Sequence, residues 1–153
     1  FKNSLKANYL NKKFNNLKWI TPFYFKDNPQ EELDLLKESI SIISKENNKE
    51  IMLITHYQFF SILIQKKINI INRWYFPDNN TFPSSKNNKY YFHYVKKFNK
   101  KIVEEKIKKI YLVESYPEEF KFINFKSLLG NECFREEKIN KILLLITLNN
   151  CGQ

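Results

Sequence analysis

Two glycines in 153 residues, Gly130 and Gly152, constrain this chain more than any motif it carries. Glycine reaches positive φ without a Cβ clash, and phosphate-cradling turns of the Walker or dinucleotide type need several glycines at fixed spacing. The nucleophile elbow has the same requirement. None of these turns can be built here, so a Gly-rich phosphate pocket is excluded. Ala7 is the sole alanine, and Lys, Asn, Ile, Phe and Tyr fill the chain instead. Those are the residues that AT-rich codons encode. The formal charge of +10 is therefore read as a lysine-coated surface set by codon bias. A charge-driven nucleic-acid role is the lesser alternative.

A chain of this length with 42% hydrophobic residues is expected to bury one core. The longest apolar runs, Phe59–Ile64 and Ile142–Leu148, fall well short of the roughly 18 residues of a membrane span. No signal-peptide pattern is present. The chain opens on Phe1 rather than Met, which leads to the expectation that it is a segment of a longer protein. On that reading residues 1–18 are a connector following a membrane helix, and residues 19–153 are a single α/β domain.

The stretch "DNPQEELDLLKESISIISKEN" carries a full helix signature. Asn28 is placed to cap, Pro29 sits at the first helical position, and Glu31 is placed to close a capping box. Leu33, Leu36, Ile40 and Ile43 share one face, with Glu32, Lys37 and Lys45 outside it. "IMLITHY" reads as a buried strand, "QFFSILIQKK" as a short helix packed on it, and "IKKIYLVES" as a second buried strand. "KYYFHYVKKFNKKIVEEK" is a long helix with Tyr91, Tyr94, Val95, Phe98 and Ile102 as its buried stripe. "EEFKFINFKSLL" is a further helix candidate, and "INKILLLITL" a final strand with the sheet edge as its candidate position. This order predicts an α/β domain with a small, mostly parallel sheet flanked by helices in Rossmann-like layering.

His56 falls at the carboxyl end of the first strand, where α/β sheets place ligands, with Tyr57 beside it. Glu114 ends the second strand and can approach His56 if the two strands are neighbours. A carboxylate beside a histidine is the minimum for general acid–base work. A hydrogen-bonded structural histidine and a helix-capping acid are the plainer readings of the same residues. Nothing has metal-ligand spacing, and no cofactor is implied. The stretch "NRWYFPDNNTFPSSKNN" carries more aromatic surface than a polar loop needs. Arg73, Trp74 and Tyr75 are candidates for stacking on a sugar or a headgroup; the alternative is a strap whose aromatics fold back on the core. Cys133 and Cys151 bracket the last strand. They are either two unrelated thiols or one disulfide closing the C-terminal strand unit, and their even count at the ends of one element favours the disulfide. Such a loop is worth about 3 kcal/mol in the chain-entropy model.

At "LKWITPFY", "IMLITHYQF", "NRWY", "KIKKIYLVE" and the closing "ECF…C", the chain resembles bacterial multi-pass membrane glycosyltransferases of the GT-C type from AT-rich marine genomes. These are similar to dolichyl-phosphate-mannose and aminoarabinose transferases. The resemblance runs from about Trp19 to Cys151. It implies an extracytoplasmic α/β domain on the periplasmic face of the inner membrane, following the last membrane helix. It further implies that the catalytic acids and the polyprenyl-phosphate sugar site lie in membrane-proximal loops elsewhere, so no catalytic residue carries over. The implied partners are the membrane-embedded part of the same chain and a polyprenyl-linked sugar or glycan acceptor. A free-standing α/β enzyme using His56 and Glu114 is the alternative from a different class.

Overall fold

The computed structural model describes residues 7–9, 18–20, 25, 27–57, 59–72, 75, 82–83, 85–114, 124–129 and 134–149. Two short strands, β1 (Ala7–Tyr9) and β2 (Lys18–Ile20), pair antiparallel and both contact the first helix. β1 thus lies within the residues read from the sequence as a connector. The main sheet has five strands: β3 (Ile51–Thr55), β4 (Asn69–Ile70), β5 (Lys109–Val113), β6 (Phe134–Lys138) and β7 (Leu143–Leu148). Their spatial order is β4-β3-β5-β7-β6. Helices α1 (Pro29–Ser44), α2 (Phe60–Ile64), α3 (Tyr91–Glu104) and α4 (Phe125–Leu129) complete the layers.

Side chains alternate across a strand, so a strand apolar at every position feeds a core on each face. Met52, Ile54, Ile110, Leu112, Leu144 and Ile146 join Tyr94 and Phe98 of α3 and Phe125 and Leu128 of α4. Ile51, Leu53, Tyr111, Val113 and Leu143 join Leu36 and Ile43 of α1 and Phe60 and Ile64 of α2. Register explains this sorting: Met52 pairs with Ile110, which pairs with Ile146. The result is a three-layer α/β/α arrangement.

The sheet is mixed, which corrects the expectation of a mostly parallel one. β4, β3 and β5 are parallel, but β7 pairs antiparallel with both β5 and β6. The cause is β6, whose "FREEK" sequence has no apolar alternation to reveal it. Only residues 139–142 join β6 to β7, too few for a parallel crossover. The Asn140 Oδ1 accepts the Ile142 N–H at 3.0 Å, tightening that turn. β6 runs parallel to β5 one position away, and β7 fills the gap between them. β7 is therefore interior, and the charged β6 is the edge, where Arg135, Glu136, Glu137 and Lys138 discourage further pairing.

α1 begins where expected, with Pro29 at its first position, but Asn28 makes no side-chain cap. Its Nδ2 donates instead to Glu31 Oε2 at 3.4 Å, so no capping box forms. Glu32, placed outside the apolar face from sequence, is buried. α3 buries Tyr91, Tyr94 and Phe98 with Val95 and Ile102 packed at the margin, as its spacing predicts. It ends with Lys106 at φ 52, donating to Val103 C=O at 3.2 Å while the Ile107 N–H reaches Ile102 C=O at 2.9 Å. These paired bonds form a Schellman ending, with lysine where glycine is usual. Gln65 ends α2 in the same left-handed region at φ 59.

Between β4 and α3 the described aromatics, Tyr75 and Phe82, point inward. Tyr75 and Phe82 are buried and meet edge-on at 5.3 Å, and Phe82 meets Tyr94 at 5.2 Å. Tyr75 therefore belongs to the core. Arg73, Trp74, Cys133 and Cys151 lie outside the described residues, and with them the expected disulfide. Among the described residues no helix is long and apolar enough to cross a membrane.

Candidate functional site

β3 and β5 are adjacent and parallel, with Thr55 in register with Val113. The next residues, His56 and Glu114, therefore leave the carboxyl ends of neighbouring strands side by side. Their side chains meet, with His56 Nδ1 2.9 Å from Glu114 Oε1. That distance is within hydrogen-bond range, so the imidazole and the carboxylate are in close polar contact. Glu114 is 2% exposed, whereas the His56 side chain keeps 22% of its surface open. The Glu114 backbone N–H is tied to Ile142 C=O at 2.9 Å, which fixes the residue against the start of β7. The second carboxylate oxygen, Oε2, is buried and has no hydrogen-bond partner among the described residues. A buried carboxylate oxygen in that state costs free energy unless something supplies a donor.

Tyr57 completes the strand end on the other face. Thr55 Oγ1 accepts the Tyr57 N–H at 3.0 Å, turning the chain sharply after β3. The Tyr57 ring lies 3.9 Å from the His56 ring, tilted by 37°. Its hydroxyl donates to Glu32 Oε1 at 2.6 Å, within the buried interior. Glu32 comes from the first turn of α1, so the helix start, β3 and β5 all converge at this end of the sheet. Nearby, Lys141 pairs with Glu31, and Asn140 Nδ2 donates to Glu38 Oε2 at 2.9 Å. Lys141, adjacent to the Ile142 whose carbonyl holds Glu114, is thus already matched.

Of the sequence candidates, the structure brings together His56, Tyr57 and Glu114, and it places Tyr75 in the core. Glu32 was missed. An acid in the first turn of a helix reads as dipole compensation on a solvated face, and no sequence signal pairs it with a tyrosine beyond the next strand. Among the described residues no group of three or more His, Cys, Asp or Glu is arranged to hold a metal ion.

A carboxylate facing Nδ1 favours the imidazole tautomer protonated there, which makes Nε2 the basic nitrogen. This is the arrangement that general acid–base chemistry and hydroxyl recognition share.

A groove of about 1140 Å³ lies at the opposite, amino end of β3, lined by Asn48, Lys49, Gln65, Lys66, Asn69 and Lys106 among others. The C-terminal ends of α1, α2 and α3 meet there. Lysines near such ends complement the negative pole of each helix, and Lys66 Nζ donates to Ser44 C=O at 2.6 Å. Comparison with family models, curated proteins and solved structures finds no match to this chain.

Proposed function

We propose that this chain is an extracytoplasmic accessory domain of a membrane glycosyltransferase that uses a polyprenyl-phosphate sugar donor. In this reading the His56–Glu114 strand end is the contact point for the sugar or glycan. The observation that carries it is the 2.9 Å meeting of His56 and Glu114. Two of the strings that resemble the glycosyltransferases, "IMLITHYQF" and "KIKKIYLVE", form the adjacent strands β3 and β5 and end at this contact. A ligand hydroxyl donating to the buried Glu114 Oε2 would satisfy an oxygen that has no hydrogen-bond partner among the described residues. The test is a titration of the chain with a short-chain prenyl-phosphate sugar and with the free hexose, followed by NMR at the His56 ring. Ring shifts that saturate, and that vanish in Glu114→Gln, are expected. Unmoved His56 resonances at saturating ligand would overturn the reading.

The same contact favours one second reading, a free-standing enzyme in which His56 acts as general base and Glu114 positions it. This reading requires turnover by the isolated chain that His56→Gln abolishes. Saturable binding without turnover supports the accessory domain instead.

A further inference from the structure

Among the described residues five large apolar side chains are well exposed, and three of them belong to α3 or its cap: Tyr90 at 60%, Phe92 at 70% and Val103 at 76%. They are not surplus core. The inward face of α3 is filled by Tyr91, Tyr94 and Phe98, and Asn99 is bound to Leu128 C=O at 2.9 Å. At 3.6 residues per turn, Phe92 and Val103 are only about 20° apart around the helix axis. Both project along one outward stripe, while Tyr90 at the N-cap lies about 160° from Phe92 and marks the opposite margin of the exposed half.

Lysines frame that stripe. Lys96, Lys97 and Lys100 are exposed on the outward half of α3, and Lys89 sits just before it with its ammonium 4.8 Å from the Tyr90 ring. The acid on this face is Glu104, already paired with Lys100 at 3.6 Å. Codon bias accounts for many lysines, but it does not sort three exposed apolar side chains onto the helix that carries them. Aromatic and aliphatic tips set among four exposed ammonium groups and one acid complement a surface that is negative outside and apolar just beneath. The groove at the amino end of β3 offers no equal case, because its lysines answer three helix ends.

We propose that the outward face of α3, with Tyr90, Phe92 and Val103 set among Lys89, Lys96, Lys97 and Lys100, docks on an anionic lipid bilayer. The apolar tips enter the headgroup boundary while the lysine stems snorkel alongside and hold their charges at the lipid phosphates. This surface is distinct from the His56–Glu114 end of the sheet and does not depend on what binds there.

Co-sedimentation with vesicles tests it. The chain should partition onto vesicles of phosphatidylglycerol mixed with phosphatidylcholine, and not onto phosphatidylcholine alone. Phe92→Ser should weaken partitioning about tenfold, and Lys96→Glu or Lys97→Glu about fivefold each or more. All three side chains are exposed, so circular dichroism should report an unchanged fold. Absence of vesicle binding would overturn the proposal. Binding that ignores Phe92→Ser would also overturn it, leaving only diffuse lysine attraction. Single-stranded oligonucleotide binding that requires Tyr90 and Phe92, without vesicle binding, would reassign the face to nucleic acid.

Discussion

Replacing Lys106 with glycine should make the protein more stable. Lys106 closes the Schellman ending of α3 at φ 52, where a Cβ crowds the following carbonyl at a cost of about 1–2 kcal/mol. Glycine removes that crowding but gives up more chain entropy on folding, about 0.5–1 kcal/mol. The Lys106 side chain is exposed, and both capping bonds, from the Lys106 and Ile107 N–H groups, are backbone bonds that survive the change. The difference is a gain of about 0.5–1 kcal/mol, or roughly 1–4 °C in Tm for a chain of this size. Urea denaturation should show a higher midpoint at unchanged slope. Lys106→Ala keeps the Cβ and should leave the midpoint near wild type. Gln65→Gly, at φ 59, should behave like Lys106→Gly, and the two gains should add because each acts on its own helix end. A Lys106→Gly midpoint at or below wild type would refute the reasoning, as would an alanine variant as stable as the glycine one.

Tyr57→Phe removes the 2.6 Å donor to buried Glu32 and should cost about 1–3 kcal/mol in urea unfolding; an unchanged midpoint would mean that Glu32 does not rely on it. Phe98→Ala, at a site with 0% exposure between α3 and the sheet, should cost about 3–5 kcal/mol, read from the same titration. Burial would raise the Glu46 carboxyl, but hydrogen bonds from Lys109 Nζ and Tyr111 Oη, with the Lys109 charge, outweigh it and hold it below its usual value. Its contribution is therefore present above the unfolded-state value and lost as pH falls through the folded-state one. The stability difference between wild type and Glu46→Gln should shrink across that acid range. Burial and the Glu46 carboxylate push the Tyr111 phenol well above its ordinary value, so its contribution is full below the ordinary phenol value and is lost as pH rises from there through the raised folded-state value. Tyr111→Phe should flatten the alkaline limb of the stability profile.

The elements that pattern reasoning read correctly are those whose burial is complete on one stripe or on both faces. α1, β3, α3 and β5 each carry enough apolar residues at a single period to identify themselves. β6 has no such signal, because an edge strand of charged residues is made by its partner's register and not by its own composition. Missing it moved β7 to the edge and made the sheet look parallel. The His56–Glu114 meeting was legible as a possibility, since both residues end buried strands, but adjacency of β3 and β5 was needed to complete it. Glu32 was illegible for the opposite reason: its first-turn position has a sufficient local explanation, and the tyrosine that claims it comes from a different element. The aromatic strap divides the same way. Burial of Tyr75 and Phe82 follows from where the core has room, which no local pattern encodes.

The β3–β5 pairing also has a kinetic meaning. β6 and β7 are joined by a tight turn and can pair early, and α1 and α3 can form locally. β3 and β5 can pair only after the chain has closed over α2, β4, the strap and α3, a step opposed by loop entropy and rewarded late. His56 and Glu114 are separate until that closure occurs. Any partly folded species that retains only the hairpin and the helices would lack the contact altogether. Loss of the His56–Glu114 environment on heating should therefore coincide with global unfolding, which makes the strand-end site a reporter of the native topology itself.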